Sequence, residues 1–463
     1  MRGVRAVSAG SIVLFGVIAA STVPAGAGPV QPGSAHGTHT GRARAAAAGP
    51  LAGLAALARA GAAGPAGAAL ASRLAAAGPP RTASPATASL NDKLSGDSCT
   101  PLDNGPAATA SCMAVGSFLD GSTVQPLALS WQQGSPWAGL GTVPDANTRN
   151  TVNLPVEVSC VSPDKLRPVC LMAGEHYANI NSPAQLAEIW DGTWTKVATG
   201  NPTGSTWSAL EDVSCRTARF CMLTGEAGTV KHTSKGQVFP SHATAYRWDG
   251  SKLTRLTVPT PLGGHDAELA GVSCPATTDC LAVGNYIRAD GKSQAYSAHW
   301  SGGRWTVQNA RNLTGEVLTL FESVSCISKT RCEAVGTTLT PGSRSFAEVW
   351  SNGAWQTQPS AGKPNATLFG VSCPAPGRCF AAGALGNQAM IEAWDGTHWS
   401  AQATPVTAAP RSGSALAHVS CVTPDLCEAV GYRFSRSRSD VTPHTLALGW
   451  DGQHWAVQPT VNQ

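Results

Sequence analysis

Fourteen cysteines fall into seven pairs, and each pair sits inside the same recurring phrase. Cys215/Cys221, Cys274/Cys280, Cys326/Cys332, Cys373/Cys379 and Cys421/Cys427 share the spacing Cys-x5-Cys, whereas Cys99/Cys112 and Cys160/Cys170 hold the same place around a longer loop. The frame reads Gly271-Val-Ser-Cys274, then Cys280-Leu-Ala-Val-Gly284, then a variable stretch to Trp300, a turn, and Trp305. A unit repeated in this way buries its apolar faces against copies of itself, so the period constrains the architecture more than any single residue does. An even cysteine count with none left over predicts disulfides, one per repeat. Zinc is a poor alternative because the frame lacks a close Cys-x2-Cys knuckle.

The N-terminus predicts where those disulfides form. Arg2 and Arg5 precede an apolar run from Ser11 to Ala20, and Ala25-Gly26-Ala27 is a small-residue cleavage site. Residues 1–27 therefore read as a secretory signal peptide, and export favours oxidised cysteines. Residues 28–88 are mostly Ala, Gly and Pro, too poor in bulky apolar groups to offset chain entropy, and read as a disordered linker. Within it Leu51 to Arg59 has helical propensity only. A net charge of +4 with 13% charged residues gives no reason to expect nucleic acid, and no further segment is long and apolar enough for a membrane span. The expected location is extracellular or at the cell wall.

Residues 89–463 divide into seven repeats of roughly 54, the size of a four-stranded blade. In one repeat, Leu269 to Cys274, Cys280 to Tyr286, a stretch ending at Trp300 and a stretch starting at Trp305 read as four strands. Asp191-Gly192, Asp249-Gly250, Ser301-Gly302, Asn352-Gly353, Asp395-Gly396 and Asp451-Gly452 supply tight turns between the third and fourth, where positive φ is needed. The expectation is an all-β, seven-bladed β-propeller of four-stranded antiparallel blades with one hairpin disulfide in each, the cysteines about 5.5 Å apart at Cα. Trp300/Trp305, Trp350/Trp355, Trp394/Trp399 and Trp450/Trp455 flank the turn at fixed spacing, so packing explains them. Trp207 stands outside the frame.

The Trp-Asp-Gly-x-x-Trp turn resembles the Asp-box of bacterial neuraminidase repeats, and with Val-Ser-Cys-x5-Cys-x-Ala-Val-Gly it resembles a group of exported actinobacterial seven-bladed β-propeller proteins. The resemblance covers 89–463 and implies the propeller fold; Asp-boxes are structural and lie away from sialidase catalytic centres. Sialidase chemistry is expected to use three arginines around a carboxylate, yet the first strands from Leu154, Leu210, Leu269, Leu320, Leu368 and Leu416 contain none.

Three residues before the first cysteine of each pair stand Gly96, Glu157, Asp212, Gly271, Ser323, Gly370 and His418. Glu157 and Asp212, in adjacent repeats, are the candidate catalytic acids, with His418 several repeats away and Glu175-His176-Tyr177 a further cluster. The connection from second to third strand varies in length, and rigid scaffolds carry recognition on such loops. It holds Lys231, His232, Lys235 and His242 in the third repeat. In the seventh it holds Tyr432, Arg433, Phe434, Arg436 and Arg438, read as an extended loop whose arginines project along one side. Arginine beside aromatic rings suits sugar, carboxylate or anionic polymer. The expected function is a non-enzymatic binding or scaffold module for an extracellular glycan or cell-wall polymer, acting as a monomer without cofactor or metal. The alternatives are a glycan-active hydrolase or lyase and a protein-interaction platform.

Overall fold

The computed structural model describes residues 93–102, 109–120, 123–140, 143, 151–164, 167–178, 183–233, 236–311, 318–340, 342–358, 363–406, 412–436 and 441–461. The expected signal peptide and linker lie outside them. The described chain is all-β: five four-stranded sheets, one eight-stranded sheet and a two-stranded ribbon, Lys231–Thr233 with Gly236–Val238. The eight-stranded sheet is two antiparallel meanders joined by a single parallel pair, Ser293 with Leu318. Strands run further than the repeat pattern suggests. In the fourth repeat they span Gly264–Ala276, Asp279–Arg288, Ser293–Ser301 and Arg304–Gln308.

The first strand of each meander is innermost, and a bulge interrupts its pairing at one fixed place. The register shifts between Leu94/Gly96, Pro155/Glu157, Leu269/Gly271, Phe321/Ser323, Leu368/Gly370 and Leu416/His418, and in the third repeat opposite Thr224/Gly225. The bulge drives a first-strand carbonyl into the second strand, onto the glycine of the Ala-Val-Gly phrase. In all seven repeats a Cβ there would strike that carbonyl oxygen, as Gly284 shows against Glu268 and Gly336 against Leu320.

All fourteen cysteines are paired within their own repeats: Cys99–Cys112, Cys160–Cys170, Cys215–Cys221, Cys274–Cys280, Cys326–Cys332, Cys373–Cys379 and Cys421–Cys427. The expected pairing holds, but the expected Cα separation of about 5.5 Å is corrected to 3.9–4.1 Å. Cys99 and Cys112, Cys160 and Cys170, Cys215 and Cys221, Cys326 and Cys332, and Cys421 and Cys427 face each other directly across the hairpin, where antiparallel backbones approach most closely. Cys274/Cys280 and Cys373/Cys379 lie next to a register shift and come equally close. The second-strand partners Cys112, Cys170, Cys221, Cys280, Cys332, Cys379 and Cys427 are each at most 3% exposed.

A directly paired residue of this kind turns its N–H away from its partner strand, towards the open inner edge, where it needs an acceptor. The serine of Val-Ser-Cys supplies it. The N–H groups of Cys160, Cys215, Cys274, Cys326, Cys373 and Cys421 donate to the Oγ atoms of Ser98, Ser159, Ser214, Ser273, Ser325 and Ser372 in the preceding repeat, at 2.9–3.0 Å. Cys99 N–H closes the belt on Ser420 Oγ at 2.9 Å. First and last repeats also share an apolar cluster that includes Leu94, Trp131, Trp137, Val430 and Ala447, and Trp131 Nε1 donates to Gln458 Oε1 at 3.2 Å. The repeats therefore stand around one axis in the manner of a β-propeller. The ring closes by packing, and among the described residues no strand is exchanged between the terminal sheets.

The tryptophans pack as expected. Trp300 and Trp305 face each other across the hairpin with ring centroids 5.6 Å apart, and both are buried between neighbouring sheets. Trp207 pairs with Gly228, over which its ring lies, so it too is a packing residue. The turn glycines take positive φ, 101° at Gly396 and 110° at Gly192.

Candidate functional site

A polar cavity of about 190 Å³ occupies the axis, lined by residues of all seven innermost strands, among them Asp97, Glu157, Asp212 and His418. No cysteine lines it: the bridged cysteines, Cys112, Cys170, Cys221, Cys332, Cys379 and Cys427 with them, hold the hairpins and take no part in the site. Ring closure corrects one expectation: His418 is several repeats from Glu157 along the chain but only two meanders away around the ring. Its Nδ1 lies 3.0 Å from Asp97 Oδ1, and its Nε2 lies 3.7 Å from Glu157 Oε2. Glycines make the room. The Glu157 carboxyl lies over Gly96 and the His418 ring over Gly370, each where a Cβ would sit.

The carboxylates double as acceptors for the bulged backbone. Asp212 Oδ1 accepts from Val213 N–H and Oδ2 from Val272 N–H, both at 2.6 Å, and Glu157 Oε1 accepts from Val158 N–H at 3.0 Å. Ser323 Oγ does the same for Val371 N–H at 3.3 Å. Asp97 is absent from the sequence reading; it is buried, and its Oδ2 has no hydrogen-bond partner among the described residues.

Burial pushes Glu157 up to about 8, opposed by His418 and reinforced by Asp212. Burial likewise takes Asp212 up to about 6 against the pull of the Val272 N–H, and raises Asp97 against His418. For His418 burial favours the neutral ring, but Glu157, Asp97 and Asp212 outweigh it and push it up to about 10. At neutral pH the centre therefore holds an imidazolium at His418, ion-paired with Asp97 at 3.0 Å. Glu157, Asp212 and His418 each have a higher pKa folded than unfolded. Each contribution is complete below 4.5, 3.8 and 6.5 respectively, and is lost as pH rises through about 8, 6 and 10. The melting temperature should accordingly fall as pH is raised from about 5 to about 9. A melting temperature that climbs over that range would contradict the arrangement.

The predicted arginine loop is not a loop. Tyr432, Arg433, Phe434 and Arg436 belong to the second strand, Leu426–Arg436, which pairs on both sides; Arg438 lies outside the described residues. Side chains alternate across a strand, so Arg433 falls on the opposite face from Tyr432 and Phe434, and the expected loop with one row of arginines beside the rings is corrected. Tyr432 and Phe434 share a face, their rings stacked at 6.4 Å, while Arg433 is exposed; burial, then the Arg433 charge, lower the pKa of the partly buried His444. In the third repeat Lys231 is exposed on the ribbon, Lys235 lies outside the described residues, and His242 Nε2 meets Arg255 at 3.1 Å.

Glu175, His176 and Tyr177 lie in a strand, with the Tyr177 hydroxyl donating to Glu175 and His176 Nδ1 2.6 Å from Asn153 Oδ1. Burial raises Glu175 to about 7, with the Tyr177 hydrogen bond opposing. Glu211, buried nearby, is raised by burial and then by Glu175, Glu226 and Glu268. Among the described residues no group of His, Cys, Asp and Glu is placed to hold a metal ion.

No family model and no curated protein matches the chain. Solved structures do. A structure of YCF48 bound to D1 peptide is similar at 13% identity and TM-score 0.42 over 79% of this chain and 98% of that one. An ulvan lyase, a polysaccharide lyase, is similar at 9% identity and TM-score 0.44 over 64% and 78%. A Trypanosoma rangeli sialidase is similar at 9% identity and TM-score 0.40 over 60% and 52%. These are likenesses of shape, and no residue role is carried across from them.

Proposed function

We propose that residues 89–463 form a closed seven-bladed β-propeller, exported by the signal peptide at 1–27 and spaced by 28–88, that binds an extracellular glycan or cell-wall polymer without turning it over. Binding is placed on the face that carries the connections from second to third strand, through Arg433, Arg436, Arg438, Tyr432 and Phe434. The observation that carries this is the end of the strand Leu426–Arg436, which presents the exposed Arg433, an anion-binding fork, on one face and the stacked rings of Tyr432 and Phe434 on the other. The axial carboxyls suit a structural role better than an acid/base pair. Both oxygens of Asp212 accept backbone N–H groups, Val213 in its own strand and Val272 in the next meander, so its carboxyl ties neighbouring first strands together.

Replacing Arg433, Arg436 and Arg438 together by Ala tests the reading. Exposed ion pairs contribute about 0.5 kcal/mol each, so affinity for an anionic wall polymer at low salt should drop roughly tenfold and lose its salt dependence. The melting temperature should hardly change. Undiminished binding by the triple variant would contradict the placement, and capture of proteins alone, with no glycan bound, would favour the interaction platform.

A further inference from the structure

A second cavity, of about 220 Å³, is lined by the fourth meander, by Pro261 of the connection that precedes it and by Asn309 and Ala310 that follow it. Pro261, Tyr286, Tyr296, Gln294, Gln308 and Asn309 line it, and among the described residues no charged side chain does. These residues end the second strand, begin the third and follow the fourth, so the cavity lies on the face proposed for binding. The two tyrosine rings meet edge to face at 5.8 Å, and Tyr286 lies over Gly264, where a Cβ would displace it. Leu262, next to Pro261 at the rim, is fully exposed.

The polar groups are incompletely used. The Tyr296 hydroxyl is buried without a hydrogen-bond partner among the described residues. Among the described residues Gln294 makes a single long side-chain contact, accepting from the Tyr286 hydroxyl at 3.4 Å. Asn309 is exposed at the mouth. Apolar ring surface beside amides that can both donate and accept matches a sugar, whose C–H face packs on aromatics while its hydroxyls take amide hydrogen bonds. The volume is below the roughly 300–1,000 Å³ typical of drug-sized ligands, which limits the occupant to about one residue.

We propose that this cavity is a subsite for one neutral saccharide unit, held between Tyr286 and the amides of Gln294 and Asn309. The proposal rests on the glycan-binding reading and adds a neutral position to the arginine surface.

The test titrates the full chain with neutral methyl hexosides and methyl N-acetylhexosaminides, read by ligand-observed NMR. At least one should bind, with an affinity indifferent to salt and to Arg433→Ala. Gln294→Ala with Asn309→Ala should weaken it about tenfold, since two partly exposed amide hydrogen bonds are lost without disturbing the buried core. Absence of binding by every neutral glycoside, or equal binding by the double variant, overturns the subsite. Anionic-polymer binding that falls with the arginine variant while no neutral glycoside binds would remove this subsite and leave the proposed function standing. Failure of both ligand classes would remove both.

Discussion

Gly284→Ala should destabilise the protein by about 3 kcal/mol or more, a large effect for one methyl group. The added Cβ would strike the carbonyl oxygen of Glu268, driven there by the first-strand bulge. A flexible side chain could yield, but this neighbour is backbone, held by pairing on the other side of the bulge and by the adjoining meander. Overpacking of side chains alone costs about 1–3 kcal/mol, and moving a strand adds to that. Denaturant unfolding of the purified variant reads the loss. A midpoint unchanged from the parent would mean that the strand can shift cheaply and that the recurring glycine has some other cause.

Reduction should unfold the protein outright. On the chain-entropy model, closing a loop of about six residues stabilises by about 2 kcal/mol. Seven such bridges together match or exceed the roughly 5–15 kcal/mol of net stability that a folded protein retains. Near-ultraviolet circular dichroism in excess reductant should lose its tryptophan signal, whereas dilution with buffer alone should not change it. Because each bridge closes only its own hairpin, Cys274→Ala with Cys280→Ala should lower stability by about one bridge and leave the belt intact. A fully reduced protein with native circular dichroism would show that apolar packing between sheets suffices without the bridges.

The repeat makes much of this fold legible. Period, cysteine spacing and the Asp-Gly turns are local signals, and each appears in the structure where the chain places it. What escapes is what only a closed ring creates. His418 and Glu157 lie far apart in the chain, and nothing local brings them to the same imidazolium-carboxylate cluster; closure of the last repeat on the first does so. Asp97 does leave a trace. It occupies the position held by Val158, Val213, Val272, Val324, Val371 and Val419 in the other repeats, and a lone acid in a column of valines marks a buried polar contact. The Ala-Val-Gly glycine is visible as a recurrence, but its reason, a carbonyl pressed in by a bulge, is a three-dimensional fact. The close approach of Cys112, Cys170, Cys221, Cys332 and Cys427 to their partners is another, since spacing along the chain fixes which cysteines meet but not which kind of strand pair they occupy. The arginines are misplaced because charged residues after Gly431 read as loop, whereas pairing with the first strand carries the strand on to Ser435 and pairing with the third carries it to Arg436.

The central claim, that recognition lies on the face of the second-to-third connections and the axial acids serve the scaffold, is tested most directly by pairing two variants on one polymer. Glu157→Gln should preserve binding to an anionic wall polymer, because the amide matches the protonated carboxyl that burial favours there, and no release of reducing ends or unsaturated products should be seen from either protein. The Arg433, Arg436 and Arg438 variant should lose about tenfold in affinity at the same salt concentration. Polymer turnover by the parent that Glu157→Gln abolishes, with binding by the arginine variant unchanged, would contradict the account and place the function on the axis.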